Sequence, residues 1–373
     1  MERRAFPSGR KSRRIVVKIG TSILSISSGR LDFTYVSRIV KELCSLRKEI
    51  PLDVILVTSG AVLAGMEVLK LERWPKTIPL KQACASIGQS RLMESYQNLF
   101  STYNQTISQI LLTHQDLSSR RSYINIYHTL LTLLKYKIIP IVNENDTVAV
   151  EELKFGDNDT LSALVASSIE SDMLIILTDT DGLYDTNNRL IKRVTEINPD
   201  LFELAKGKSS PVTSGGMHTK LRAAEIVTKS GGKMVIANGR KDGVVTSIIN
   251  GEDVGTLFLP KKGEKIQSSK KRWIVFNLVS QGNIVIDEGA KIAIKEQGKS
   301  LLPKGILSVK GEFESGDAVT LIDESSRELA KGLVNYTSRE LLEIKGKHTK
   351  EIEGILGYKY YDEIIHRDNL VLL

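Results

Sequence analysis

The sequence predicts an α/β fold, in which a mainly parallel sheet lies between helices, followed by a small β-barrel-like domain. Over the first 260 residues, short β-rich runs alternate with helical patterns, which is typical of a parallel α/β sheet. Several of these runs (DVILV, IIPIV and MLIIL) are apolar throughout, as strands buried on both faces require. After residue 272 the alternation stops, and short runs between turn signals favour a small β-barrel or sandwich.

The elements of the first part follow from hydrophobic period and from helix start signals. The predicted strands span residues 14–19, 53–58, 107–113, 138–142, 173–178 and 233–237. The predicted helices span residues 33–49, 61–71, 87–100, 122–136, 160–170 and 217–230, and Asn158 or Asp159 is the expected N-cap of the fifth.

Composition divides the chain into four predicted segments: a disordered basic leader (1–14), an α/β domain (15–260), a basic linker (261–272) and a β-rich domain (273–373). Turn signals in the last segment lie at residues 282–283, 287–289, 303–305 and 315–317. Helical patterns are expected at residues 338–344 and 349–356.

Charge and composition exclude several function classes. The 373 residues carry a net charge of +8, but residues 273–373 hold 13 Lys and Arg against 16 Asp and Glu, a net of −3. Because the excess lies in the leader and the linker, no folded basic face for nucleic acid is indicated. No apolar run has the length of a membrane-spanning helix, and Cys44 and Cys84 lack C-x-x-C spacing. A cytoplasmic protein is therefore expected.

The segment 138–162 is the strongest indication of a ligand site. A buried strand ends in Asn143-Glu144-Asn145-Asp146, and a second polar cluster that includes Asn158 and Asp159 precedes a helix. In open α/β sheets, ligands bind at the carboxyl ends of the strands. These groups suit the ammonium and carboxylate of an amino acid or a metal–phosphate complex, although a turn and a helix N-cap would explain either cluster alone.

Four other segments place anion-binding groups at the ends of strands or the starts of helices. Lys18 precedes a Gly-Thr-Ser turn, and Ser59 stands before a helix that begins with small residues. Thr178 and Asp179 follow a buried strand, in a turn that suits a nucleotide. The segment 214–220 opens a helix with paired glycines and Lys220, which could cradle phosphates, but it is not a P-loop. No set of residues has metal-ligand spacing, so no protein metal site is predicted.

Taken together, these motifs resemble the glutamate 5-kinases of the amino-acid kinase family. VVKIGTS, VTSGAVLAG, IGQSRL, PIVNENDTVA, GDNDTLSALVA, LTDTDGLY and GGMHTK stand in that family's order and approximate spacing. The part with IDEGA, SLLPKGI and ILGY is similar to the PUA fold. The resemblance covers nearly the whole chain after residue 14, and it implies an amino-acid kinase fold followed by a PUA domain.

The resemblance implies that ATP phosphorylates the γ-carboxylate of glutamate, the first step of proline biosynthesis, with Mg²⁺ as cofactor and proline as inhibitor. Lys18 and Lys220 would neutralise the transferring phosphoryl group, and Asp159 would organise the two lysines. The residues implied to hold glutamate are Ser59, Asn143, Asp146 and Asn158. Those implied to bind ATP are Lys18, Thr178, Asp179, Ser214, Gly215, Gly216, Met217, His218, Thr219 and Lys220. One departure is Thr213, which stands where the family usually has glycine.

Some alternatives stay open at this level. The same scaffold serves kinases of N-acetylglutamate, aspartate, carbamate and UMP, so the fold alone does not choose the acceptor. A PUA-like domain also suggests RNA binding, which the net charge of −3 opposes. The family resemblance further implies a dimer or tetramer and a glutamyl phosphate reductase as a possible partner.

Overall fold

The chain divides into two units, residues 1–266 and residues 267–373. The structure is a computed structural model, and it describes residues 12–25, 31–148, 158–204, 216–261, 269–276 and 278–373. Among the described residues, no helix has both the length and the apolar character needed to cross a bilayer.

The first unit alternates strands and helices, as predicted. Its strands are β1 (Arg13–Ile19), β2 (Leu52–Val57), β3 (Ile107–Leu112), β4 (Ile139–Glu144), β5 (Met173–Thr178), β6 (Arg193–Val194), β7 (Lys233–Asn238) and β8 (Thr256–Phe258). Its helices are α1 (Thr21–Leu24), α2 (Thr34–Glu49), α3 (Ala61–Val68), α4 (Ile78–Ser101), α5 (His114–Ser118), α6 (Arg120–Lys135), α7 (Asn158–Ser168), α8 (Pro199–Leu204), α9 (Met217–Lys229) and α10 (Val244–Asn250).

The strands form one eight-stranded sheet in the order β3-β4-β2-β1-β5-β7-β8-β6. All neighbouring pairs are parallel except β7 and β8, which are antiparallel. The predicted α/β class with a mainly parallel sheet is therefore confirmed. Because β1, β2, β4 and β5 run in the same direction, their carboxyl ends meet at one edge of the sheet.

Helices cover both faces of this sheet. Ile15, Val17 and Ile19 of β1 pack into a core with apolar side chains of α2, α4 and α10. Side chains alternate along a strand, so Lys18 points to the opposite face, where it meets α7. Two buried faces explain why the central strands read as unbroken apolar runs.

Helix α4 is longer than the sequence predicts, since it begins at Ile78 rather than at residue 87. Pro79 lies in its first turn, a position at which a helix tolerates proline. At Gly88, an added Cβ would lie 1.8 Å from the Ala61 carbonyl oxygen and 2.4 Å from the Gly65 nitrogen. The backbone of α4 therefore packs directly on α3, with no room for a side chain at that point.

The second unit begins with α11 (Ser269–Phe276) and holds a separate sheet. Its strands are β9 (Gly282–Ile286), β10 (Ile306–Gly311), β11 (Ala318–Ile322), β12 (Glu328–Leu333) and β13 (Leu370–Leu372), in the order β10-β9-β11-β12-β13. Its other helices are α12 (Glu288–Lys295), α13 (Ser338–Ile344) and α14 (Ile352–Leu356). Apolar side chains of these strands and helices form a core of their own.

The structure corrects several local predictions in this unit. Residues 282–283 are not a turn but the start of β9. Residues 287–289 are not a turn either: Asp287 is the N-cap of α12, and its Oδ1 accepts a hydrogen bond of 2.7 Å from the Ala290 backbone N–H. The same residue types favour turns and helix N-caps, which explains the error.

Parts of the predicted leader and linker belong to regular elements. Arg13 and Arg14, assigned to the leader (1–14), are the first two residues of β1, and residues 1–11 lie outside the described residues. The end of the predicted linker (261–272) belongs to α11, in which Trp273 and Ile274 are buried. Residues 262–268 lie outside the described residues, so the domain boundaries stay a prediction.

Candidate active site

Two lysines and one aspartate form a buried charge cluster where β1, α7 and α9 meet. Lys18 Nζ lies 2.7 Å from Asp159 Oδ1, and Lys220 Nζ lies 3.1 Å from Asp159 Oδ2. Thr219 Oγ1 also donates to Asp159 Oδ2, at 2.9 Å. The side chain of Asp159 is fully buried, and both lysines are buried as well. Buried charges are stable only when paired, so each lysine is held in place by the same carboxylate.

The electrostatics of this cluster keep Asp159 ionised. Burial alone would raise its pKa, but the ammonium groups of Lys18 and Lys220 outweigh burial and lower the pKa to about 2. Two positive charges against one negative charge leave the cluster with an excess of one positive charge. The cluster is therefore suited to an anion with several charges and is not suited to proton abstraction by Asp159.

The lowered pKa of Asp159 predicts how stability depends on pH. A depressed folded-state pKa contributes stability in full above the unfolded value of 3.8, and that contribution is lost as the pH falls through about 2. As the pH falls from 6 to 2, we expect the advantage of wild type over Asp159→Asn in free energy of unfolding to shrink only below about pH 4, as measured by urea titration at each pH. An advantage that already shrinks between pH 6 and pH 5 would contradict the assignment.

A second cluster, made of amide and hydroxyl groups, lies at the ends of β2 and β4. Asn158 Nδ2 lies within hydrogen-bond distance of the Thr58 carbonyl oxygen (2.7 Å), Ser59 Oγ (2.8 Å) and Asn143 Oδ1 (3.1 Å). Asn143 Nδ2 in turn donates to Gln89 Oε1 of α4, at 2.8 Å. Because Asn158 directly precedes Asp159, this amide cluster and the charge cluster are neighbours. Three predicted substrate residues (Ser59, Asn143 and Asn158) are thus brought together.

The turn that carries Ser59 is fixed by its backbone and by a buried tyrosine. Gly60 has a φ of 97°, a left-handed conformation that favours glycine and directs the chain into α3. The Thr58 N–H donates to the Val142 carbonyl oxygen at 2.9 Å, which joins the ends of β2 and β4. Thr58 Oγ1 and the fully buried Tyr96 hydroxyl lie 2.8 Å apart, so the turn rests on α4.

The predicted nucleotide turn lies at the end of β5. Thr178 is buried and its Oγ1 donates to Asp179 Oδ1, at 3.0 Å. Nearby, Asp181 Oδ1 accepts from Lys241 Nζ (2.9 Å) and from Asn238 Nδ2 (3.0 Å). The hydrogen bonds from Lys241 and Asn238 lower the pKa of Asp181. This turn is therefore anchored to the end of the neighbouring strand β7.

The predicted phosphate loop is described only from Gly216 onward. Gly216 is the N-cap of α9, and a Cβ there would meet nothing within 4 Å. The ring of His218, an exposed residue, contacts the ring of Phe202 at 5.1 Å between centroids, whereas Lys220 points into the buried cluster. The predictions for Ser214 and Gly215, and the departure at Thr213, lie outside the described residues. Met217 is half-buried in the first turn of α9.

Asp146 lies half-buried in the turn after β4, and its role as a substrate residue stays a prediction. The sequence gives no local sign of two further contacts at the site: Gln89 Oε1 accepts from the predicted residue Asn143, and the Tyr96 hydroxyl lies 2.8 Å from Thr58 Oγ1, next to Ser59. The motif IGQSRL, which contains Gln89, supports the family resemblance, but a glutamine inside a helix does not indicate its partner.

No group of three or more His, Cys, Asp or Glu side chains within the described parts of the chain could hold a metal ion. Each carboxylate oxygen of Asp159 already faces an ammonium group. The residues present therefore do not fit a resident metal in the charge cluster.

Comparison with known proteins identifies the family. The profile of the amino acid kinase family matches residues 13–238, and that of the PUA domain matches residues 282–356. The chain is 51% identical over 368 residues to glutamate 5-kinase of Thermoanaerobacter sp. (strain X514). This alignment covers 96% of this chain and 98% of that protein. The glutamate 5-kinases of Carboxydothermus hydrogenoformans and Moorella thermoacetica are 48% and 46% identical over 369 residues. These matches cover 97% of this chain and 98% and 97% of those proteins.

These matches confirm the resemblance that the ordered motifs indicated. They extend over both units, since the matched relatives align along nearly the whole chain. The chain belongs to the amino acid kinase family, among relatives that are glutamate 5-kinases, and it is a kinase with a carboxyl-terminal PUA domain.

Proposed function

We propose that the protein transfers the γ-phosphoryl group of ATP to the γ-carboxylate of L-glutamate, forming L-glutamyl 5-phosphate and ADP. The observation that carries the proposal is the buried Lys18–Asp159–Lys220 cluster, with its excess positive charge, next to the amide cluster at Asn158. The charge cluster suits a polyphosphate, and the amide cluster suits a small zwitterion. The names of the close relatives support glutamate as the acceptor.

The proposed chemistry needs positioning more than proton transfer. The γ-carboxylate of glutamate has an ordinary pKa of about 4.3 and is ionised at neutral pH, so it can attack without a general base. A carboxylate oxygen forms a bond to the γ-phosphorus while the bond to the β–γ bridging oxygen breaks, and ADP leaves with that electron pair. The obstacle is repulsion between two anions, which Lys18 and Lys220 reduce. Asp159 holds both ammonium groups at fixed positions before the substrates bind.

The roles of the remaining residues are proposed from the sequence motifs and the family resemblance. Ser59, Asn143 and Asn158, with Asp146 after β4, are proposed to hold glutamate. Thr178 and Asp179 at the end of β5, with the loop 214–219 and Lys220, are proposed to bind the nucleotide. Mg²⁺ is proposed to enter as the complex with ATP, as part of the substrate, since the charge cluster offers it no unpaired carboxylate.

A trapping experiment tests the reaction and the acceptor together. Purified protein is incubated with Mg-ATP, L-glutamate and hydroxylamine, which converts an acyl phosphate to a coloured hydroxamate. We expect hydroxamate with glutamate, and no ADP release above background with N-acetylglutamate, aspartate, carbamate or UMP. ADP release with a different acceptor would overturn the substrate assignment and leave phosphoryl transfer intact. No turnover with any of them would overturn the proposal as a whole.

Feedback inhibition by proline is a further part of the proposal. Proline shares an α-carboxylate and an α-nitrogen with glutamate, so the same amide cluster can bind both. We expect proline to raise the apparent KM for glutamate while leaving the KM for ATP within about twofold. The measurement is a set of initial rates at fixed ATP with proline and glutamate both varied. Unchanged rates across the proline titration would remove this part of the proposal.

We also propose a setting for this activity. Acyl phosphates hydrolyse readily, so the product must be consumed by a following reaction, and a glutamyl phosphate reductase of proline biosynthesis is the proposed consumer. A homodimer or homotetramer in the cytoplasm is proposed from the family resemblance. Sedimentation analysis of the purified protein tests the oligomeric state.

A further inference from the structure

Three side-chain amides form one continuous chain of hydrogen bonds next to the charge cluster. Asn158 Nδ2 donates to Asn143 Oδ1 (3.1 Å), and Asn143 Nδ2 donates to Gln89 Oε1 (2.8 Å). We call these three side chains the amide chain. They come from α7, β4 and α4, so the amide chain joins three separate elements at the proposed glutamate site.

Main-chain groups fix the direction of every amide in this chain. The Glu144 backbone N–H donates to Asn143 Oδ1 at 2.9 Å, and Asn158 Nδ2 donates to the Thr58 carbonyl oxygen at 2.7 Å. A backbone N–H can only donate and a carbonyl can only accept, so neither asparagine can be turned around. Since Asn143 must then present Nδ2 to Gln89, the oxygen of Gln89 must face it.

The two ends of the amide chain are left open. Gln89 Nε2 and Asn158 Oδ1 are buried atoms without a hydrogen-bond partner among the described residues. One is a donor and the other an acceptor. Unpaired buried polar atoms destabilise a folded protein. An amide chain present only for stability is therefore not expected to leave a donor and an acceptor at its two ends unpaired. The open ends indicate an arrangement that serves a ligand.

Gln89 is held rigidly by its neighbour in the sequence. At Gly88 the backbone of α4 lies against Ala61 and Gly65 of α3, too close for any side chain. Helix α3 directly follows the turn that carries Ser59. The position of Gln89 is therefore fixed relative to the turn that contributes to the glutamate site.

We propose that Gln89 is a positioning residue for the amino-acid substrate, acting through Asn143. Its Oε1 holds the Asn143 amide, and Asn143 in turn accepts from Asn158, which lies beside Ser59. This inference rests on the proposed function for the identity of the substrate. Gln89 does not contact the charge cluster in this scheme, so it affects binding of glutamate more than phosphoryl transfer.

The test compares Gln89→Met with a matched variant, Gln97→Met. Both glutamines lie on α4, but Gln97 is exposed and lies further along the helix than Gln89. We expect Q89M to raise the KM for glutamate about tenfold, while kcat and the KM for ATP stay within about threefold of wild type. Q97M should leave all three constants unchanged. A normal KM for ATP shows that the variant is folded.

A double-mutant cycle with Asn143→Ala then asks whether Gln89 acts through Asn143. If it does, adding Q89M to N143A lowers kcat/KM for glutamate by less than about twofold, because the link is already lost. A tenfold further loss in that background would overturn the proposal. So would a KM for glutamate within twofold of wild type in Q89M, or a parallel rise in the KM for ATP.

Wild-type activity separates this inference from the proposed function. If wild type forms no hydroxamate with glutamate but phosphorylates another acceptor, the proposed function fails. The constants of Q89M are then measured with the acceptor that wild type uses, and the same outcomes apply. If wild type and Q89M both use glutamate with equal KM, the proposed function stands and the role of Gln89 is wrong.

Discussion

Replacement of Lys18 by alanine is expected to lower kcat by about 10²-fold or more, which is typical of the loss of a preorganised charge contact. The Lys18 ammonium is fixed by Asp159 before any substrate arrives, so it needs no rearrangement to meet the transferring phosphoryl group. The measurement is hydroxamate formation at saturating ATP and glutamate. Lys18→Arg is not expected to restore the rate, because a planar guanidinium does not fit the place of a compact ammonium.

An exposed lysine provides the matched control for this experiment. Lys41 lies on the surface of α2, and Lys41→Ala should leave kcat unchanged. Melting temperatures of both variants show whether the fold survives. If kcat of Lys18→Ala stayed within about threefold of wild type, the change in the barrier would be under about 1 kcal/mol and the assigned role of Lys18 would be wrong.

Replacement of Asp159 by asparagine is expected to have the largest effect on stability. The neutral amide leaves two buried ammonium groups close together with no carboxylate between them. Removing one partner of a buried ion pair typically destabilises a protein by about 3–5 kcal/mol. We expect a loss of that order in the free energy of unfolding at pH 7, measured by urea titration, together with loss of kinase activity.

An ion pair on the surface gives the comparison. Arg193 and Asp253 lie 3.1 Å apart with side chains that are 63% and 53% exposed. Asp253→Asn should change the free energy of unfolding by no more than about 1 kcal/mol, because solvent screens such a pair. Similar losses for Asp159→Asn and Asp253→Asn would mean that the buried cluster does not stabilise the fold as argued.

Much of the first unit could be predicted from the sequence because its central strands are buried on both faces. Apolar runs such as MLIIL indicate a buried strand, and β5 has the predicted bounds, Met173–Thr178. The helical pattern becomes clear only after Pro79, so the sequence places the start of α4 too late. The short strands β6 and β8 were not predicted, because two or three residues carry no period.

The site was predictable to the extent that its residues lie at the ends of strands, follow strands or begin helices. Lys18 and Asn143 lie near the carboxyl ends of β1 and β4, Ser59 follows β2, and Asn158 and Asp159 begin α7. The structure brings these residues into two neighbouring clusters. The partnership between Gln89 and Asn143 depends on how α4 packs on α3, which no local pattern records. Long-range contacts of this kind need the three-dimensional structure.

Helix α11 changes where the chain can be cut. Trp273, only 5% exposed, and Ile274 pack within the second unit, and Lys331 Nζ of β12 donates to the carbonyl oxygens of Val275 and Leu278 at the end of that helix. A recombinant fragment that starts at residue 273, where composition changes, therefore deletes the first turn of a helix whose other end is tied to the sheet. The second unit should be expressed from residue 267 onward, and a protease that cleaves before Trp273 would damage it rather than release it intact.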